Sequence, residues 1–220
     1  MTAVNFFRFA VILLEVAACF AGFATLQEVK NSFWKWLPVY LLVIVSGEFL
    51  GVYLASVPRL NSYNPKLFNC LLCPFQIIFF KWLLYKNLSV YSRRKANWIL
   101  YCIILYIACF VVDICLLPKD DFWVMTFSFS VGALLLLFSI LLFFYEYIQN
   151  NVVLVFKTDR IFWICLGLFF YYVVALPFEG LRNTLLKQPD LYMACWYADM
   201  SLACLMYLSF IISFVWAKPR

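Results

Sequence analysis

Long apolar runs broken by short polar segments set the pattern of this chain from end to end. They predict seven helices, at residues 5–26, 37–56, 67–86, 97–117, 122–148, 161–181 and 193–217. Each run is close to the roughly 20 residues that cross a ~30 Å hydrocarbon layer. In that layer only helices or a closed barrel satisfy their own backbone groups. The runs lack the ten-residue alternation of a barrel strand, which leaves helices. Breakers fall between the runs: Pro58, Asn61 and Pro65, then Pro118, then Pro189. The first run has no basic segment before it and no early small-residue cleavage site, so it reads as a span rather than a cleaved leader.

Composition strengthens this picture. The 220 residues are 67% hydrophobic and 13% charged, against roughly half and a quarter in soluble domains. The expected fold class is therefore all-α, one polytopic transmembrane bundle over residues 1–220. No polar tail follows the last run, so an output domain is expected on another protein.

Charge sets the expected orientation, because Lys and Arg in short loops favour the cytoplasmic side. Six bases share the side of the N-terminus: Arg8, Arg59, Lys66, Lys119, Arg182 and Lys187. Ten lie on the other: Lys30, Lys35, Lys86, Arg93, Arg94, Lys95, Lys157, Arg160, Lys218 and Arg220. The N-terminus is expected outside and the C-terminus in the cytoplasm. Trp34, Trp36, Trp98, Trp163 and Trp216 lie near the inner ends, as an interfacial belt would. The loop with Arg93, Arg94 and Lys95 carries most of the bias and offers a contact for a partner protein or anionic lipid. The required topology alone also accounts for it.

The acids gather on the opposite side. Glu15, Glu48, Asp113, Glu179 and Asp199 are expected in the outer halves of their helices, with Asp120, Asp121 and Asp190 beside them. Glu28, Glu146 and Asp159 remain on the inner side, and Lys81 is the one base inside a span. A charge at the bilayer centre costs at least ~2.5–3.5 kcal/mol on insertion scales, so such groups face protein or water. Glu15 shares a helical face with Ala18 and Gly22, and Glu48 with Gly51 and Ala55. Gly47-x-x-x-Gly51 is a close-packing pattern. If the first two helices pair through these faces, the carboxylates of Glu15 and Glu48 meet. The expectation is an outward-facing acidic cavity for a cation, proton or hydrogen-bonding ligand, lined by Glu15, Glu48, Asp113, Glu179, Asp199 and Arg182. The alternative is that each acid is tied to a neighbouring hydroxyl, amide or Arg182 and only holds helices together.

Several chemistries lack their parts. There is no histidine, so the common hydrolase triads and zinc sites lose their base or ligand. Asp113 and Asp199 are not in a Gly-x-Gly-Asp context, and the last helix has no lysine for a retinal imine. Cys70-Leu71-Leu72-Cys73 has no second ligand pair and reads as a helix end carrying two thiols. No enzyme activity, cofactor, metal or nucleic-acid partner is expected.

Short patches resemble an uncharacterised seven-helix membrane family of Bacteroidota, often encoded beside histidine kinases or response regulators. They are Glu48-x-x-Gly51, Asn64-x-x-x-Phe68-Asn69, Phe162-Trp163-Ile164-x-x-Gly167-Leu168-x-x-x-Tyr172 with Pro177-Phe178, and Phe214-Val215-Trp216. The resemblance implies a sensory or signalling membrane component, placed in a bacterial inner membrane, with a separate protein partner at its cytoplasmic face. A small seven-helix carrier of the three-plus-one-plus-three type and a structural subunit of a membrane complex remain as alternatives.

Overall fold

The computed structural model describes residues 3–29, 32–116, 126–149 and 158–216. Among them, seven helices are long and apolar enough to cross a membrane: α1 (Val4–Ala24), α2 (Phe33–Ser56), α3 (Tyr63–Tyr91), α4 (Arg93–Cys115), α5 (Thr126–Gln149), α6 (Arg160–Gly180) and α7 (Pro189–Val215). The chain is thus an all-α, multi-pass membrane protein of seven spans. Pro118, Lys119, Asp120 and Asp121 lie outside the described residues, as do Lys30, Lys157, Lys218 and Arg220.

The differences from the expected boundaries have local causes. Helix α3 begins at Tyr63, ahead of Pro65, because proline in a first turn forfeits an N–H that has no intrahelical acceptor. Pro189 likewise opens α7 instead of preceding it. Pro74 has no N–H to give to the carbonyl four residues back. The helix widens there into a π turn over Phe68–Leu72, closed by the Cys73 N–H donating to Phe68 O. Cys70 and Cys73 sit in and beside this turn, neither in a disulfide. Helix α4 starts at Arg93, so Arg93, Arg94 and Lys95 form its first turn and Ser92 alone links α3 to α4.

The helices form two compact units. One comprises Met1–Val45, Asn151–Phe178 and Arg182–Arg220, hence α1, the first part of α2, nearly all of α6, and α7. In it α1 runs parallel to α7, as first and seventh spans must. Phe7 meets Tyr197 at 5.4 Å between ring centroids, and further along Gly22 admits the Phe214 ring. Helices α6 and α7 are antiparallel and pack tightly at Gly167, where an added Cβ would fall 1.9 Å from Ser209 Oγ.

The other unit is Ser46–Asn150 with Glu179–Leu181. Helices α3, α4 and α5 form its core around Ile77, Phe80, Leu84, Ile99, Leu136 and Phe143, all buried. The last turns of α2 join it through small residues: Gly47 lies under Leu72, and Gly51 under Phe68. The close-packing pattern on α2 therefore serves α3, not the expected pairing with α1.

Candidate functional site, a buried amine among three helices

The anticipated acids fall in both units. Glu15 is 1% exposed in the first unit, and its Oε1 accepts a hydrogen bond from the Tyr207 hydroxyl on α7. It lies eleven residues from Val4 and nine from Ala24, at mid-helix and not in one half. Asp199 is also buried in that unit, but eight residues before Tyr207, or about 12 Å along α7. Glu48 and Asp113 belong to the second unit. Glu179, in the last turn of α6, and Arg182, in the short helix Arg182–Leu185, are both part-exposed.

Asp113 has a structural task. Its Oδ2 accepts from both the backbone N–H of Ser128, at 2.8 Å, and the Ser128 hydroxyl. Ser128 lies in the first turn of α5, where N–H groups have no acceptor in their own helix. A carboxylate from α4 thus caps α5, as a capping side chain would from its own chain segment. At the opposite end of the same helix pair, Lys95 Nζ lies 2.8 Å from Glu146 Oε1 and over the Tyr145 ring. Lys95 therefore turns into its own unit, while Arg93 and Arg94 stay exposed.

Between these two ties lies Lys81, on α3. It is 0% exposed, and its Nζ has no hydrogen-bond acceptor among the described residues. The ammonium sits 4.7 Å from the centroid of the Tyr106 ring on α4. Cys102 and Cys109 flank Tyr106 on the same face of α4. Cys102 is hydrogen-bonded to Ser139 of α5. Gly132 allows α5 to back the ring, since a Cβ there would lie 2.6 Å from Tyr106 and 2.7 Å from Ile77.

Depth and charge make this amine unusual. Ten residues separate Lys81 from Tyr91 and eighteen separate it from Tyr63, so the amine lies well inside the span. Helix α3 has no acidic residue; α4 and α5 have one each, Asp113 and Glu146, engaged at the two ends. No carboxylate of the three helices is therefore left for Lys81. A desolvated ring contact contributes ~2 kcal/mol, against ~2.5–3.5 kcal/mol or more for a charge at the bilayer centre. The ring offsets much of the cost but does not turn the lysine into a stabilising residue.

Lys81 is the one base inside a span by sequence, although it is not among the residues expected to line the cavity. The signal was there: one lysine in α3 between Ile77-Ile78-Phe79-Phe80 and Trp82-Leu83-Leu84. Arg160 was missed differently. It was counted as a loop base, but it is 1% exposed, donates from Nε to Ser213 O at 3.1 Å and packs by Trp34 and Phe214. Among known proteins, no family model, no curated protein and no solved structure matches the chain.

Proposed function

We propose that this multi-pass membrane protein is a sensory or signalling component, with Lys81 as its responsive element and its output carried by a separate cytoplasmic partner. One observation carries the reading: a fully buried amine inside a membrane span, among three helices whose acids are engaged elsewhere. Ionisable groups in spans are expensive and mark function by default. A group that costs stability in one arrangement biases the equilibrium toward another in which it is better solvated, and such a two-state element is what a signal needs. The charge asymmetry favours an N-terminus outside and a C-terminus inside, and the resemblance suggests a bacterial inner membrane. The resemblance of the short patches to the Bacteroidota family points the same way.

The carrier alternative has less support. Two repeats of three helices would give α1–α3 and α5–α7 equivalent settings, whereas α3, α4 and α5 share one compact unit. The test replaces Lys81 by Met in the native host at matched expression and compares transcript levels with wild type and a deletion strain. A confined set of genes that shifts in both the variant and the deletion supports the reading. Wild-type transcript levels in Lys81→Met, beside a changed deletion strain, would overturn it.

A further inference from the structure

The turn between α3 and α4 sets three adjacent bases to two different uses. Lys95 is neutralised inside the unit by Glu146. Arg93 and Arg94 remain exposed, with exposed Lys86 at the end of α3. No other acid stands among the described residues of α3, α4 and α5 at that end. The tip therefore presents positive charge that its own helices do not neutralise.

What lies along α4 from Arg94 decides the kind of partner. Steps of four, three and four residues lead to Trp98, Tyr101 and Leu105, all on one helical face. They are 57%, 61% and 52% exposed, and Ile104 beside them is 57% exposed. The Trp98 and Tyr101 rings stand edge to face, with centroids 6.2 Å apart. Along the axis Trp98 is about 6 Å from Arg94, Tyr101 about 10 Å and Leu105 about 16 Å. One hydrocarbon leaflet is about 15 Å deep. Two guanidinium groups, an amphipathic aromatic pair and an aliphatic stripe thus follow one another in the order and at the depths of a phosphate, a glycerol ester region and an acyl chain. A soluble acidic protein could reach the arginines but not the rest of this face.

We propose that this face of α4 binds an anionic phospholipid, its phosphate held by Arg93 and Arg94 and its acyl chain laid along Trp98, Tyr101 and Leu105. Arginine suits the phosphate because its planar fork pairs with two oxygens at once. The inference is independent of the role given to Lys81. It also fixes this end of α4 at a leaflet that carries anionic lipid.

The test uses the full chain, purified and delipidated in detergent, titrated with phosphatidylglycerol and with phosphatidylcholine, and read by native mass spectrometry. Phosphatidylglycerol is expected to bind at lower concentration. Replacing both arginines, R93Q with R94Q, should weaken its binding about 30-fold, the combined effect of two bases near a charged surface. Lys95→Gln should leave it within about twofold. A second variant, W98L with Y101L, keeps the arginines and should also weaken phosphatidylglycerol. Equal binding of the two lipids, or an unchanged affinity in both double variants, would overturn the proposal. So would an acidic soluble peptide that binds as tightly as phosphatidylglycerol and ignores the W98L and Y101L changes.

Discussion

The Tyr207 hydroxyl on α7 donates to Glu15 Oε1 on α1 at 3.1 Å, joining residues 192 positions apart in the chain. Both side chains are buried, so the pair replaces water that neither can reach. Removing one member of a buried hydrogen bond costs about 1–3 kcal/mol, because the other is left without its partner. Tyr207→Phe should therefore lower the thermal midpoint of the purified protein, and Glu15→Gln should lower it less, since an amide oxygen still accepts. A double-mutant cycle should give a coupling of about 0.5–3 kcal/mol; additive effects would show that the bond contributes nothing.

Lys81→Met is expected to separate stability from activity. A linear apolar side chain fills similar volume without a charge to desolvate, and replacing buried ionic groups by apolar ones is often neutral or stabilising. The variant should melt at the same temperature as wild type or higher, while losing the signalling output. A lower midpoint would mean that Lys81 serves packing.

Gly132 should tolerate no side chain. The Cβ of alanine would lie 2.6 Å from the Tyr106 ring and 2.7 Å from Ile77, and both are packed. Overpacking of this kind costs about 1–3 kcal/mol. Gly180→Ala is the control, since its Cβ meets only the Ser130 hydroxyl, at 3.0 Å. Denaturation of the two variants side by side should show the larger loss at position 132.

Asp113→Ala should cost more than Ser128→Ala. The first change leaves both the N–H and the hydroxyl of Ser128 without their acceptor, whereas the second removes only the hydroxyl. About 1 kcal/mol is expected for Ser128→Ala and about 1–3 kcal/mol for Asp113→Ala. Equal losses would mean that the backbone bond to α5 has no weight.

The spans were legible because hydropathy over twenty residues overrides every local detail. Their ends were less so, since Pro65 and Pro189 read as breakers but act as first-turn residues. The candidate site was the least legible. A run of apolar residues does not say which helix a face meets, so Glu15 and Glu48 could be paired on paper through their small neighbours. The structure gives Gly47 and Gly51 to α3, and Tyr207, almost two hundred residues away in the chain, to Glu15. Asp113 and Glu146 look alike as lone acids in apolar helices. Their tasks, a cap for another helix and a pairing with Lys95, depend on contacts across a hairpin that spacing does not encode.

The parallel contact of α1 with α7 has a consequence for biosynthesis. The second unit is almost wholly one continuous stretch, Ser46–Asn150, and its helices can close together while the ribosome is still at work. Helix α1 leaves the translocon first, but the hydroxyl that donates to Glu15 is made near the end. Until α7 arrives, that carboxyl has no Tyr207 to bind. A chain truncated before α7 therefore lacks this tie between its first and last spans, and should be degraded faster in the membrane than the full chain.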